Sequence, residues 1–186
     1  MRKLILTVRA LLVLPLLAAP LPAMADPYTD TAAIDELFMQ LRLATSEAEA
    51  DEISQQIWEY WFTPSDPDLD RRMDASSRAL AVGDVTSSLA VLDAVVAQYP
   101  DYAEGWNQRA TVYYMVGNLA ASLADIDKVL AIERRHYGAL SGRVLIYLKQ
   151  GKHDEALRDM IAALAIHPYL SERRLFPELA QDFTRV

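Results

Sequence analysis

Apolar and polar positions follow a helical period through the middle of the chain, and the pattern itself repeats every 34 residues. Three consecutive stretches align without insertion or deletion: Leu69–Tyr102, Ala103–His136 and Tyr137–Leu170. A constant interval of this length is typical of a solenoid of stacked helical units and not of a single globular core. The pattern therefore predicts an all-α fold in which each unit is a pair of antiparallel helices.

The fifteenth place of each unit predicts its turn, because it is occupied by Gly83, Gly117 and Gly151. Glycine adopts the left-handed conformation that ends one helix and lets the chain reverse. Small residues at the eighth and twentieth places predict a close approach of the two helices. Larger apolar residues on the second helix, spaced three and four apart, are expected to fill the space between units.

Two further helices are predicted before the units, over Asp30–Ala44 and Ser46–Phe62, which makes residues 26–64 a helical hairpin. The aromatic cluster from Trp58 to Phe62 has two interpretations. It is a partner anchor, or it covers the exposed apolar face of unit one, so that the hairpin acts as a degenerate fourth unit. We favour the second. At the other end, residues 171–186 are predicted to form a capping helix over unit three.

Opposite charges recur at two places of the units. The seventh place is Arg109 and Arg143 in units two and three, and the twenty-third is Asp125 and Asp159. Both places lie equally far from the turn glycine, so the hairpin brings them opposite each other. We expect the pairs Arg109–Asp125 and Arg143–Asp159 to tie helix to helix. The alternative is independent charges that face solvent.

The first 25 residues have the composition of an export signal. Arg2 and Lys3 precede an apolar stretch, and small residues end at Ala25, after which cleavage is expected. A retained membrane anchor is the alternative, but Arg9 and three prolines leave too short an apolar run. Without cysteine a lipid anchor is excluded. The prediction is a periplasmic protein with no stable membrane insertion after cleavage.

Charge excludes one class of partner. The whole chain carries a net charge of −8, and removal of Arg2, Lys3 and Arg9 leaves 15 basic and 26 acidic residues, a net charge of −11. Such a surface repels phosphate backbones, so nucleic acid is not an expected partner.

No catalytic or cofactor chemistry is indicated. The three histidines occupy different places of the repeat, no cysteine completes a zinc set, and there is no glycine-rich phosphate loop. The alternating acids Asp66, Asp68 and Asp70 lack the glycine and the bidentate glutamate of a calcium loop. We expect no enzyme, no metal and no cofactor.

The repeats resemble the tetratricopeptide repeat (TPR) family. The middle unit carries the resemblance best, with Trp106 and Asn107 near its start, Tyr113 and Tyr114 before the turn at Gly117, and the run 127–130 near its end. Unit three adds Tyr147, Gly151, the run 154–157 and Pro168. The resemblance implies a right-handed superhelix of three units, with the hairpin before it and the cap after it.

The same resemblance implies a partner-binding groove on the concave face, lined by the first helix of each unit. Carried over place by place, its residues are Met73, Ser77, Leu80, Asn107, Thr111, Tyr114, Met115, Ser141, Leu145 and Leu148. Family members that clamp a terminal carboxylate use Lys, Arg and Asn at two of these places. Only Asn107 remains here, so carboxylate clamping is not expected.

The implied groove is apolar and aromatic in its middle, with acids toward one edge. It suits the apolar face of a helix, or an extended segment with aliphatic anchors and a basic residue. The expected function is a noncatalytic interaction module that scaffolds or escorts an envelope protein. Alternatives are a structural, self-associating component, such as a homodimer that fills the groove, and an accessory subunit of a periplasmic enzyme or secretion complex.

Overall fold

A computed structural model describes residues 27–28 and 30–179 of the chain. The predicted leader, residues 1–25, lies outside the described residues. Within residues 30–179 the chain forms eight α-helices and no strand. They are α1 (Thr31–Leu43), α2 (Glu47–Phe62), α3 (Pro67–Ala81), α4 (Val85–Gln98), α5 (Ala103–Met115), α6 (Leu119–Ile132), α7 (Tyr137–Lys149) and α8 (His153–Leu164). In this part of the chain no helix combines the length and the hydropathy needed to cross a bilayer.

Helices α3 to α8 form three hairpins stacked in chain order, because α3 packs on α4, α5 on α6, and α7 on α8. Neighbouring hairpins meet through α4 with α5 and through α6 with α7. The turn glycines Gly83, Gly117 and Gly151 have φ values of +79°, +79° and +72°, and they are the residues in left-handed conformation among those described. These three glycines end the first helix of each unit as the repeat predicts.

Small buried residues hold the two helices of a unit close together. In unit one the hydroxyls of Ser76 and Ser88 lie 2.8 Å apart, and in unit two Ser122 Oγ donates to the backbone oxygen of Ala110 at 2.8 Å. Unit three has Ala156 at the equivalent place, fully buried. The twentieth place therefore satisfies its own polar group while it allows close helix packing.

The N-terminal hairpin, α1 and α2, does not stack on unit one as a fourth unit, and this expectation from the sequence is wrong. Its apolar residues form one core with Tyr137 of α7, and this core is packed against Ile166 and Tyr169, which follow α8. Helix α2 also contacts α5. The hairpin thus folds back over units two and three, where buried aromatic and polar partners are available to it.

The C-terminal segment caps unit three in a different form from the one expected. Ser171–Leu175 is a 3₁₀ helix, not an α-helix, and Phe176 is fully buried in the core of unit three. Pro177 follows immediately and cannot donate the hydrogen bond that would continue an α-helix. The rest of the predicted cap, residues 180–186, lies outside the described residues.

Candidate partner-binding site

Helix α2 lies across the face formed by the first helices of the units, α3, α5 and α7, which we call the first-helix face. The Trp61 ring stacks on His136, with centroids 4.0 Å apart and planes within 6°. The hydroxyl of Tyr102 donates to the backbone oxygen of Trp61 at 2.6 Å, and the hydroxyls of Ser54 and Tyr137 lie 2.7 Å apart. These buried contacts fix α2 against the N-terminal ends of α5 and α7.

A glycine makes this close contact possible. A Cβ added at Gly138, in the first turn of α7, would lie 2.5 Å from Trp58 Cη2 and 2.8 Å from Trp58 Cζ2. The Trp58 ring has little freedom to move away, because it packs edge-on against Trp61 and Tyr137 and stacks with Phe62. Gly138 is therefore required for α2 to lie where it does.

Buried hydrogen bonds among His136, Glu104 and Asn107 hold the His136 ring, on which Trp61 of α2 stacks. His136 Nδ1 accepts from the backbone N–H of Ala139 at 3.1 Å, so the ring proton lies on Nε2, which is 3.1 Å from Glu104 Oε2. Asn107 Nδ2 also donates to Glu104 Oε2, at 2.9 Å. The other oxygen, Glu104 Oε1, is buried and has no hydrogen-bond partner among the described residues.

At the outer edge of the hairpin, Arg135 binds α1 to the turn between α6 and α7. Its guanidinium lies 2.6 Å from Asp35 and 2.8 Å from Glu133, and it sits 4.2 Å from the centre of the Phe38 ring. Desolvation opposes its charge, but the hydrogen bonds to Glu133 and Asp35 outweigh this and raise the pKa of Arg135 above its usual value. The hairpin is thus held along both of its helices.

Between α2 and the first-helix face remains a cavity of about 670 Å³, which we call the main cavity. Its volume falls within the range of about 300–1,000 Å³ that is usual for ligand sites. The walls come from α2, α5, α7 and the segment after α8. The lining includes the side chains of Asp51, Ser54, Trp58, Asn107, Thr111, Tyr114, Tyr137, Ser141, Leu145, His167, Tyr169 and Glu172.

On the other side of Trp58 lies a second cavity of about 460 Å³, between α2, α3 and α5. Trp58, Asn107 and Thr111 line both cavities, so the indole of Trp58 divides the space above the first-helix face. The second cavity also contains Phe62 and the buried carboxyl group of Glu104 in its wall.

Seven of the ten groove residues implied by the family line one of these two cavities. Asn107, Thr111, Tyr114, Ser141 and Leu145 line the main cavity, and Ser77 and Leu80 line the second one together with Asn107 and Thr111. Two polar members have internal partners: Asn107 donates to Glu104, and Thr111 Oγ1 donates to the backbone oxygen of Asn107 at 3.0 Å. The Ser141 hydroxyl has none among the described residues.

Three of the ten residues lie elsewhere. Met73 is only 3% exposed and packs with Leu69, Leu92 and Val95 in the core of unit one, so it is not on a binding surface. Leu148 packs half-buried against the core of unit three. Met115 is 59% exposed at the end of α5, away from the cavities. Met73 and Leu148 pack against second helices, which the family places did not reveal.

The electrostatics of the main cavity are acidic. Glu47, Asp51 and Glu172 line it, and no Lys or Arg is among the described residues in its wall. His167 is 4% exposed, and its Nδ1 accepts from the backbone N–H of Tyr169 at 3.3 Å. Desolvation lowers the pKa of His167, against the opposing effects of the Asp51 and Glu172 carboxylates. This histidine is therefore neutral at pH 7.

The repeated charges form a ladder through the stack. Arg109 makes two parallel bonds to Asp125, at 2.7 and 2.8 Å, and Arg143 does the same to Asp159, at 2.7 and 2.9 Å. Their side chains are largely buried, with Asp125 6% and Arg109 16% exposed. Hydrogen bonds to Asp125 raise the pKa of Arg109 further above its ordinary value. These are the partners that the spacing of the seventh and twenty-third places suggests.

The sequence interpretation missed a second aspartate that pairs with each arginine. Arg109 Nη1 also lies 2.9 Å from Asp93 on α4, and Arg143 Nη1 lies 2.9 Å from Asp127 on α6. Each arginine therefore joins its own unit to the preceding one. The signal was present in the sequence, because Asp93 and Asp127 both occupy the twenty-fifth place, sixteen residues before the arginine.

The sequence interpretation also missed the far wall of the main cavity. Asp51 and Ser54 lie on α2, and Tyr169 and Glu172 follow α8; Trp58, also on α2, belongs to the aromatic cluster for which a partner anchor is the less favoured interpretation. No repeat place or motif connects these residues with the groove. Only the return of the hairpin over units two and three brings them there.

No protein-family model matches the chain. A TPR repeat-containing protein of Rhizobium etli is 35% identical over 83 residues, which cover 45% of this chain and 41% of the relative. The chain thus spans less than half the length of that relative. Two solved structures of MamA proteins are each 16% identical to the present chain. The first has a TM-score of 0.47, and the match covers 78% of this chain and 67% of the MamA chain. The second has a TM-score of 0.48, and the match covers 70% of this chain and 76% of the MamA chain. A likeness that low adds nothing to the assignment.

The assignment depends on the chain itself and on the curated relative. The period of 34 residues, the left-handed glycine at each turn and the stacking of paired helices in chain order are the features of one repeat architecture. The relative that matches nearly half of the sequence is named for the same repeat. The described helices thus form a solenoid of the tetratricopeptide repeat type, and the chain is similar to tetratricopeptide repeat proteins.

Proposed function

We propose that this chain is a noncatalytic protein–protein interaction module of the bacterial periplasm, and that it holds a segment of a partner in the main cavity. The observation that carries the proposal is the main cavity itself. It lies between α2 and the first-helix face, has a volume of about 670 Å³, and is lined by aromatic and aliphatic side chains together with polar and acidic ones. A concave wall that combines apolar surface with convergent polar groups is typical of sites that bind a ligand specifically.

The shape of the site favours a short segment over a long helix. Helix α2 already covers the face along which a long partner helix would lie, and it is fixed there by the stacked Trp61 and His136 rings. The space that remains is divided by Trp58 into two cavities. An extended segment that places successive side chains on either side of Trp58 fits this arrangement.

A periplasmic location is supported by the leader-like residues 1–25. The proposed partner is then an exported protein. Binding of a partner segment in the main cavity would give the chain a scaffolding or escorting role.

The test is cross-linking inside the cell from a defined position. A photo-reactive benzoylphenylalanine replaces Leu145 in the main cavity, and a matched control replaces Lys128, which is exposed on α6 and lines neither cavity. We expect Leu145 to cross-link to one segment of one exported protein, and the cross-linked chain to begin at Asp26 after processing.

The cross-link should disappear in the variant Tyr114→Ala/Asn107→Ala, which changes the same wall. Equal products from Leu145 and Lys128, or a product that survives the double substitution, contradict a binding role for the cavity. A product with the mass of two copies of this chain contradicts the proposal in favour of self-association. An unprocessed N-terminus contradicts the periplasmic location alone.

A further inference from the structure

We infer that the segment held in the main cavity presents a lysine or arginine side chain to it, an inference that rests on the proposed function. Its cation would lie among Trp58, Tyr137, Asp51, Glu172 and Ser141, all of which line the main cavity. Three independent features lead to this assignment: the sign of the charges, the kind of rings and one unpartnered hydroxyl.

Carboxylates line the main cavity. Asp51 on α2 and Glu172 after α8 are both in its wall, and both carboxylates act electrostatically on the buried His167. Glu47 at the rim adds a third acid, whose Oε1 lies 3.5 Å from Arg174 Nη2. With His167 neutral, the described lining of the main cavity is negative and contains no fixed cation. An ammonium or guanidinium group gains most from such a setting.

Aromatic rings in the wall of the main cavity also favour a cation. Trp58 and Tyr137 lie edge-to-face, with centroids 5.7 Å apart, in the wall of the main cavity. Aromatic faces attract cations, and the effect grows when the cation is removed from water. The chain already uses the other two tyrosines of the wall in this way: Lys149 Nζ lies 5.5 Å from the Tyr114 ring and Arg173 lies 5.9 Å from the Tyr169 ring. The partner's cation would therefore lie next to Trp58 and Tyr137, and not next to Tyr114 or Tyr169.

The Ser141 hydroxyl offers a hydrogen-bond acceptor to the partner's cation. Ser141 is 6% exposed, lines the main cavity, and its Oγ has no hydrogen-bond partner among the described residues. Burying a hydroxyl without a hydrogen-bond partner is unfavourable, so such a group is usually satisfied in the functional state. An N–H of lysine or arginine supplies the missing donor.

The aliphatic part of the side chain also has a place. Leu145 and Ile146 of α7 line the same cavity. Lysine and arginine bury their methylene stems along apolar surface while the charged end reaches polar partners. A basic side chain therefore matches both the apolar and the acidic parts of the wall.

The test selects ligands without assuming a sequence. A random-peptide library is displayed on phage and selected against the full chain, and binders that Tyr114→Ala/Asn107→Ala abolishes are kept. We expect lysine or arginine to be enriched among them beside an aliphatic residue. The dissociation constant of a selected peptide is then measured for the variant Asp51→Asn/Glu172→Gln.

A matched control changes net charge equally at positions outside both cavities. Glu52 and Glu59 are exposed on α2, the same helix as Asp51, and line neither cavity. We expect about tenfold weaker binding in Asp51→Asn/Glu172→Gln and near wild-type binding in Glu52→Gln/Glu59→Gln. Added salt should weaken binding to the wild type more than to the cavity variant.

The outcomes separate this inference from the proposed function. Cavity-dependent peptides without lysine or arginine, or equal affinities for the two charge variants, overturn the inference and leave the proposed function standing. A failure to obtain any cavity-dependent peptide contradicts both. Binding that depends on the cavity but only through a second copy of this chain also overturns the inference.

A second variant keeps stability and binding apart. Ser141→Ala removes a hydroxyl without a described partner, so we expect the thermal midpoint to stay or rise while the selected peptide binds about threefold more weakly. Ser88→Ala is the control, because its hydroxyl lies 2.8 Å from that of Ser76, it lines neither cavity, and its loss should lower stability without changing peptide affinity. Unchanged peptide affinity in Ser141→Ala counts against the placement of the cation.

Discussion

At the scale of single residues, the polar groups that are buried near α2 decide how the molecule responds to pH. His167 is enclosed by Tyr137 of α7 and by the segment after α8, and it faces the carboxylates of Asp51 and Glu172. Burial disfavours its charged form more than the two acids favour it, so the pKa of His167 is lowered. A neutral imidazole is thus part of the folded structure.

The lowered pKa of His167 makes the stability of the fold depend on pH. In the unfolded chain a histidine has a pKa of about 6.5, and between this value and the lower folded pKa the unfolded chain binds more protons. Stability should therefore fall as pH drops below about 6.5, by at most about 1.4 kcal/mol for each pH unit in that window. Urea denaturation at several pH values should show a smaller fall for His167→Gln. Parallel curves for the variant and the wild type would contradict a neutral His167.

At the scale of elements, glycine and other small residues at particular places determine how closely two helices approach each other. The turn glycines have positive φ and open space around them, so their role is conformational. Gly138 has an ordinary helical backbone, and its role is steric, because the Trp58 ring occupies the place of a Cβ. Glycine therefore serves two purposes in this chain, and only the first follows from the repeat.

The steric role predicts opposite effects for two alanines on the same helix. Gly138→Ala places a Cβ against Trp58 and should destabilise the protein by about 1–3 kcal/mol and change tryptophan fluorescence. Gly142→Ala meets only Ile126, at 3.7 Å, and should stabilise α7 by about 0.5–1 kcal/mol through helix propensity. Urea denaturation followed by fluorescence measures both. Equal effects of the two alanines would mean that α2 is not packed on Gly138.

At the scale of the whole molecule, the units are joined by the ladder of arginines as well as by apolar packing. Arg109 and Arg143 each bind one aspartate within the unit and one on the preceding unit. The ladder has no member in unit one, where the seventh and twenty-third places are Ala75 and Val91. Unit one instead carries the contacts of Tyr28 with Tyr99 and Tyr102.

The two bonds of one arginine should differ in strength, because the two aspartates differ in burial. Asp125→Ala leaves the largely buried Arg109 without its main partner and should cost about 3–5 kcal/mol. Asp93 is 58% exposed, so Asp93→Ala should cost less than about 1 kcal/mol. The double variant Asp125→Ala/Arg109→Ala should lose less than the sum of the single losses in chemical denaturation. Equal, negligible losses for both aspartates would end the case for a buried pair.

The sequence alone was enough to predict the three helical hairpins, their turns and the charge pairs across the second and third hairpins. Their causes are local: helical periodicity, left-handed glycine, and charges placed symmetrically about a turn. The tertiary structure decided where the N-terminal hairpin lies, and therefore that the groove is a divided cavity walled by Asp51, Trp58 and Glu172. No local rule encodes that choice, because an amphipathic hairpin can bury its apolar face against the end of a stack or against the first-helix face. The fit of Trp58 over Gly138 and of Trp61 on His136 is a matter of three-dimensional complementarity.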